Sequence, residues 1–212
     1  MKDIDHCYYL NLDKREDRNK HTLNLVLPFF GFKDGGFTRY SAIDTSDQPT
    51  LPLRSVGCAQ SHLNIYKDAK AKGYQTILVL EDDFIPIIES DELFSNWGYF
   101  LKRYPDFNIC QLSYNDVEKA SAIDSSKIVY TSNNVQTTSA YIIKTSFTDT
   151  ITPKIQSSID SLKKGGDPNL HAIDQTWKSF QSLDHKWYLL KRCGVQAHDY
   201  SDIEGRVVSY GC

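Results

Sequence analysis

A short apolar segment that ends in three consecutive carboxylates constrains the fold of this chain more than any other feature. Residues 77–80 (ILVL) run into Glu81, Asp82 and Asp83, and a second apolar segment, residues 84–87 (FIPI), follows. An apolar run of this length, rich in β-branched residues, predicts a buried strand near the centre of a sheet. Three carboxylates in a partly desolvated place need a compensating cation. Because ligands of open α/β sheets bind beyond the carboxyl ends of the strands, the pattern predicts a Mg²⁺, Mn²⁺ or nucleotide site, with a polar turn between two strands as the alternative.

The composition is that of one globular domain and excludes several classes of function. The chain has 212 residues, of which 40% are hydrophobic and 24% are charged, and this suits a single core. A net charge of −3 gives no basic stripe, so we expect no nucleic-acid partner. Residues 1–5 are too charged for a signal peptide, and no apolar run reaches the roughly 18 residues of a membrane span. We therefore expect a cytoplasmic protein. Its five cysteines contain no CxxC pair and predict neither a zinc site nor a disulfide framework.

The order of predicted elements indicates one α/β domain. In the first half, strands at about residues 7–12, 37–42 and 77–80 alternate with helices, which predicts βαβ units and a largely parallel sheet. The predicted helices there end at about Leu27, stopped by Pro28, and cover about residues 55–72, capped by Ser55, and 91–103. The second half is more mixed. Its predicted strands are at about residues 107–112, 128–130, 138–143 and 187–190, its predicted helices are at 146–163 and 172–183, and an irregular tail follows.

A highly charged segment, residues 11–18 (NLDKREDR), follows the first predicted strand. Arg15 and Arg18 suit bidentate phosphate binding at a strand end that leads into a helix. The alternative is a solvated, salt-bridged first helical turn. Neither GxGxxG nor GxxxxGK[ST] occurs in the sequence, so a nucleotide would have to be held in another way.

Three further motifs each allow two interpretations. Cys58 and His62 lie four residues apart on a predicted helix, where a hydrogen-bonded interior histidine is favoured over nucleophilic chemistry. His198 either completes a metal shell begun by the carboxylates or is a surface histidine. Asp174, near the start of a predicted helix, is either an ordinary first-turn acid or a positioned base.

Four motifs in order resemble glycosyltransferase family 25, the lipopolysaccharide sugar transferases to which collagen galactosyltransferases are related. The motifs are residues 9–13 (YLNLD) with Arg15 and Arg18, residues 37–44 (FTRYSAID), residues 57–62 (GCAQSH) and residues 80–83 (LEDD). With weaker matches further on, the resemblance covers nearly the whole chain. It implies a GT-A-like fold, a single Rossmann-like α/β domain whose mixed, largely parallel sheet is flanked by helices.

The resemblance also implies a UDP-sugar donor and a Mn²⁺ or Mg²⁺ ion. The residues that it assigns to the nucleotide-sugar pocket are Asn11, Asp13, Arg15, Arg18, Ser61 and Asp82, and Ser61 also shapes the floor with His62. Asp83 and Glu81 are assigned to the metal, with His198 as an additional metal or diphosphate contact. Asp174 is the candidate base for inverting transfer to an acceptor hydroxyl.

The implied reaction transfers a hexose, galactose or glucose, to a glycan, a glycolipid or a protein side chain. Residues 1–115 are then expected to form the nucleotide-sugar and metal half, and residues 116–212 the acceptor half. Peripheral membrane association is compatible with the sequence, and the oligomeric state stays open. Two alternatives remain: a metal-dependent hydrolase, since acid clusters also serve hydrolases, and a non-catalytic GT-A-like domain that binds nucleotide or glycan.

Overall fold

Strands and helices alternate along the first half of the chain, as its apolar patterns predict. The computed structural model describes residues 1–32 and 35–208. The strands are β1 (His6–Asn11), β2 (Phe37–Ser41), β3 (Thr76–Glu81), β4 (Phe84–Pro86), β5 (Ile109–Ser113), β6 (Ser121–Ala122), β7 (Val129–Thr131), β8 (Ala140–Lys144), β9 (Trp187–Gln196), β10 (Asp199–Ser201) and β11 (Arg206–Val208). The α-helices are α1 (Glu16–His21), α2 (Leu27–Phe29), α3 (Leu51–Ala71), α4 (Ser90–Arg103), α5 (Thr148–Lys163), α6 (Pro168–His171) and α7 (Ile173–Trp177). A π-helical segment, Thr22–Val26, joins α1 to α2, and 3₁₀ turns cover Val117–Lys119 and Lys178–Phe180.

The main sheet is mixed, and most of its longer strands share one direction. Its strand order is β2-β1-β3-β8-β5-β9-β7-β6, with β4 paired to β9. Strand β1 is parallel to β2 and β3, and β5 is parallel to β9. Strand β8 lies antiparallel between β3 and β5, so β1, β2, β3, β5 and β9 all run the same way. The acid-terminated strand β3 therefore lies inside the sheet, as its apolar run predicts.

Apolar cores cover both faces of this sheet. Alternate residues of a strand point to opposite faces, and in β3 Ile77 faces one core while Leu78 faces the other. The first core includes Ile155 of α5, and the second includes Phe100 of α4; all four side chains are fully buried. Burial on both faces explains why β3 is apolar along its length rather than alternating.

Two predicted helix boundaries are wrong because a proline can occupy the first turn of a helix. The first helical region does not stop before Pro28 but continues to Phe29, because Pro28 lies in the first turn of α2. The third helix begins at Leu51 rather than at Ser55, with Pro52 in its first turn.

The predictions for the last third of the chain also need correction. The helix predicted over 172–183 is only α7 followed by a 3₁₀ turn, and just beyond it the buried Gln181 side chain hydrogen-bonds both backbone groups of Val135. Strand β9 continues past Leu190 because it pairs with β4, where Phe84 lies opposite Gln196. The tail contains the hairpin β10–β11 rather than irregular chain.

Among the residues that the structure describes, none of the helices is both long and apolar enough to cross a bilayer. The cysteines Cys7, Cys58, Cys110 and Cys193 are free. Cys212 lies outside the described residues.

Candidate functional site

An open cleft lies at the carboxyl ends of β1, β2 and β3. Asn11 from the end of β1, Asp44 from the loop after β2, and Glu81 from the end of β3 all line it. Helix α3 and residues 196–203 complete its walls. Open α/β sheets bind ligands at this edge, beyond the carboxyl ends of their strands. The cleft is therefore the candidate site.

A buried hydrogen-bond chain holds Glu81. His62 Nε2 lies 3.1 Å from Glu81 Oε1, His62 Nδ1 lies 2.7 Å from the Tyr141 hydroxyl, and that hydroxyl lies 2.9 Å from the hydroxyl of Tyr66. The Thr138 hydroxyl donates to the same Glu81 oxygen. Burial favours the neutral carboxyl, but the hydrogen bond and electrostatic interaction with His62 bring the pKa of Glu81 below its usual value. Glu81 thus stays anionic, and its other oxygen can accept a further ligand.

Asp82 is fixed through both of its carboxylate oxygens. Asn11 Nδ2 donates to Oδ2 at 2.7 Å, and Arg18 Nη1 donates to Oδ1 at 3.1 Å. Burial raises the pKa of Asp82, while Arg18 and Asn11 act in the opposite direction. Asn11 at the end of β1 and Arg18 in α1 therefore hold this carboxylate in place.

Asp83 is the acid that lacks a partner for one oxygen. Gln196 Nε2 donates to Oδ2 at 2.9 Å, and Arg18 Nη1 lies 3.9 Å from the same atom. The other oxygen, Oδ1, is buried and has no hydrogen-bond partner in the described parts of the chain. Burial, and then the charges of Glu81 and Asp82, raise the pKa of Asp83 to about 7. A buried oxygen without a donor, beside a carboxylate with an oxygen to spare, fits a divalent cation.

Carboxylates already surround the two arginines of the charged segment. Arg15 pairs with Asp17 at 2.8 Å, Asp202 at 2.9 Å and Asp199 at 3.1 Å. Arg18 Nη2 also reaches Asp199, at 3.3 Å. Arg18 lines the cleft, whereas Arg15 does not. The arginines thus tie the hairpin β10–β11 to the start of α1.

A family model for glycosyltransferase family 25, described as LPS biosynthesis proteins, matches residues 37–161. The match covers more than half of the chain and includes both the α3 segment and the acidic strand end. The chain belongs to glycosyltransferase family 25. No curated protein matches it in sequence.

Solved structures support the same fold for this family 25 glycosyltransferase. A glycosyltransferase involved in the glycosylation of the major capsid of PBCV-1 is similar with a TM-score of 0.54 and 8% identity, over 94% of this chain and 95% of that one. The mannose-1-phosphate geranyltransferase from Thermus thermophilus is similar with a TM-score of 0.52 and 9% identity, over 89% of this chain and 74% of that one. At such identities the likeness concerns the fold alone, and it confirms the GT-A-like α/β fold.

Three other residues assigned to the site by the family resemblance lie in different surroundings. Ser61 lines the cleft, and its hydroxyl accepts a hydrogen bond from the amide of Ile43 at 2.9 Å. Asp13 is exposed, pairs with Arg39 at 2.6 Å and does not line the cleft. His198 is exposed and is likewise absent from the cleft wall. The roles of Asp13 and His198 in ligand binding stay predictions.

Asp174 is not among the residues that line the cleft, and two residues, Thr137 and Gln196, link it to Asp83. The amide of Thr137 donates to Asp174 Oδ2 at 3.4 Å, and the Thr137 hydroxyl donates to Gln196 at 3.2 Å, which in turn donates to Asp83. Burial raises the pKa of Asp174. A raised pKa suits a carboxylate that accepts a proton near neutral pH.

Some residues near the acids take their positions from the fold, and the sequence alone does not indicate them. Gln196 reaches Asp83 because β9 pairs with β4, and no local motif indicates that pairing. Thr137 has a backbone φ of 79°. Because this left-handed conformation is rare for a β-branched residue, the residue type does not predict the position of Thr137. Cys58, His62 and Glu81 bring their ligand atoms within 4.8 Å of one another, but both His62 nitrogens already have hydrogen-bond partners.

Proposed function

We propose that this glycosyltransferase transfers a hexose, galactose or glucose, from a UDP-sugar to an acceptor hydroxyl, with inversion and with Mn²⁺ or Mg²⁺. The observation that carries the proposal is the unpartnered, buried Oδ1 of Asp83 next to the anionic Glu81, in a cleft at the strand ends. Three neighbouring acids share this place, and Arg18 is the arginine in contact with two of them. This set of carboxylate oxygens would suit a hard divalent cation.

Asp83 and Glu81 would hold the ion. When bound, it would stabilise the negative charge that develops on the diphosphate as the bond to the sugar breaks. Asp82 is already held by Asn11 and Arg18, so its contribution is to fix these two side chains at the rim of the donor pocket.

Asp174 is the proposed base. In the inverting reaction the acceptor oxygen bonds to the sugar carbon, the bond from that carbon to the diphosphate breaks, and the acceptor proton passes to a carboxylate. Burial raises the pKa of Asp174 and so favours its protonated form in the product state. Thr137 and Gln196 couple the position of this carboxylate to that of Asp83.

Calorimetric titration of UDP, GDP, ADP and CMP, with and without Mn²⁺, tests the donor and the metal together. We expect UDP to bind and its affinity to rise about tenfold or more with Mn²⁺, because the ion neutralises both Asp83 and the diphosphate. Asp83→Asn should abolish the Mn²⁺ effect while leaving circular dichroism unchanged. Metal-independent binding, or no binding of any nucleotide, would contradict the proposal.

Asp174→Asn is the matched carboxylate-to-amide control. It should keep Mn²⁺-dependent UDP binding and lose transfer to an acceptor, since it lies outside the cleft wall. Hydrolysis of a UDP-hexose that is equally fast with and without acceptors would favour the metal-dependent hydrolase instead.

A further inference from the structure

Arg54 is a cation that lines the cleft without an anionic partner. Of the described residues that line the cleft, Arg18 and Arg54 are the basic ones. The acidic lining residues are Asp44, Glu81, Asp82, Asp83, Asp199 and Asp202. Arg18 is paired with three of these acids, at 3.1, 3.3 and 3.9 Å. Arg54 forms no ion pair and no side-chain hydrogen bond with any described residue, and its Nε is buried without a partner.

The neighbours of Arg54 fix its position. Its carbonyl accepts a hydrogen bond from Thr45 Oγ1 at 2.7 Å, and its amide donates to the carbonyl of Thr50 at 3.1 Å. Its guanidinium lies against Gly205 in the turn of the β10–β11 hairpin, where an added Cβ would lie 2.9 Å from Arg54 Nη1. Gly205 has a φ of 71° and carries no side chain that would compete for this space. The guanidinium is therefore held between α3 and the hairpin, at the wall of the cleft.

We propose that Arg54 binds a phosphate group of the donor nucleotide. The inference rests on the proposed nucleotide-sugar donor and names a phosphate contact for it. A partly buried guanidinium needs an anionic partner, and its planar fork matches phosphate oxygens in a bidentate geometry. The other basic side chains around the cleft, Lys14, Arg15 and Arg18, are engaged by carboxylates of the protein. Arg54 is thus the cleft-lining cation, among the described residues, whose charge is left for a ligand.

Titration of UDP, inorganic pyrophosphate and uridine against the full chain and Arg54→Gln, all with Mg²⁺, tests this assignment. We expect Arg54→Gln to weaken UDP and pyrophosphate about tenfold, as expected for loss of a charge-assisted hydrogen bond, and to leave uridine unchanged. Arg206→Gln is the matched control, because it removes the same charge from the hairpin at a side chain that is 73% exposed. It should change each affinity by less than about twofold.

Unchanged affinity of Arg54→Gln for both UDP and pyrophosphate would overturn the assignment, and so would an equal loss for uridine, which would place Arg54 at the nucleoside. Pyrophosphate binding that requires Arg54, without any binding of UDP, would support Arg54 and contradict the proposed donor. Binding of UDP by both forms alike would contradict Arg54 alone. If Arg54→Gln does not fold, Arg54→Lys takes its place: losing the fork should weaken UDP about threefold, and full affinity would overturn the bidentate contact.

Discussion

At the level of single residues, the surroundings of Asp83 disfavour the ionised form of its carboxyl group. Burial and the charges of Glu81 and Asp82 raise the pKa of Asp83 to about 7 in the metal-free protein. In an unfolded chain the pKa of an aspartate is about 3.9. Between these two values the folded state binds more protons than the unfolded state. The contribution of Asp83 to stability is therefore most favourable below about pH 4 and is lost as the pH rises to about 7.

Asp83→Asn should for this reason stabilise the metal-free protein at neutral and alkaline pH. We expect its free energy of unfolding at pH 8 to exceed that of the unsubstituted chain by roughly 1–3 kcal/mol, and the difference to approach zero near pH 4. Urea denaturation in EDTA across this pH range measures the effect. Asp13→Asn is the control: Arg39 lowers the pKa of the exposed Asp13, so that variant should show no gain at pH 8. A gain for Asp83→Asn that does not depend on pH would contradict the electrostatic origin.

Single residues also mark the limit of what the sequence predicts. Residue type and order alone indicated that the acids of the LEDD motif lie at the end of a buried strand, where a cation or ligand would compensate their charge. The binding roles of these acids and of Arg18 came from the family resemblance and stay predictions. His62 is also the hydrogen-bonded interior histidine that the sequence predicts. Gln196 and Arg54 could not be assigned to the site from the sequence. The position of Gln196 depends on the pairing of β9 with β4, and the interest of Arg54 depends on the ion pairs that the neighbouring cations form.

At the level of elements, the close approach of α3 to the end of β2 shapes one wall of the cleft. A Cβ at Gly57 would collide with the carbonyl of Ile43 and the hydroxyl of Thr45. One turn further along α3, Ser61 accepts a hydrogen bond from the Ile43 amide at 2.9 Å. Ile43, Thr45 and Ser61 all line the cleft, so the glycine and the serine of the GCAQSH segment position its wall.

Gly57→Ala should therefore push the loop after β2 away from α3. We expect it to lower the free energy of unfolding by roughly 1–3 kcal/mol, the usual cost of overpacking, and to weaken nucleotide binding in the same variant. Chemical denaturation and calorimetry measure both effects. Gly98→Ala, inside α4, is the control, because a Cβ there has no neighbour within 4 Å. It should stabilise the protein by about 0.5–1 kcal/mol, and an equal gain for Gly57→Ala would contradict the close approach.

The existence of each helix and strand was easier to predict than the residues at which it begins and ends. The apolar periodicity of a helix or strand is local, and it correctly places β3, α4 and α5 to within about two residues. Ends depend on partners. Strand β9 is longer than its apolar core because β4 pairs with its second half, and Pro28 does not end a helix when it lies in the first turn of the next one.

At the level of the whole molecule, strands from the two halves of the sequence alternate in one sheet. Strand β8 lies between β3 and β5, and β9 lies beside β5 and pairs with β4. The acids at the end of β3 are likewise held by Thr138, just before β8, and by Gln196 at the end of β9. The division into a donor half before residue 115 and an acceptor half after it stays a functional prediction, because the sheet itself is shared.

A shared sheet predicts that the chain unfolds as one cooperative unit. Phe100 and Ile155 lie in cores on opposite faces of the sheet, and both are fully buried. Phe100→Ala and Ile155→Ala should each lower the free energy of unfolding by about 2–5 kcal/mol and shift the same single transition, because neither core can persist without the strands they share. Leu170→Ala, at a side chain that is 67% exposed, is the control and should change stability by less than about 0.5 kcal/mol. Coincident transitions by circular dichroism and tryptophan fluorescence would agree with this expectation, whereas two transitions, each moved by only one of the core substitutions, would contradict it.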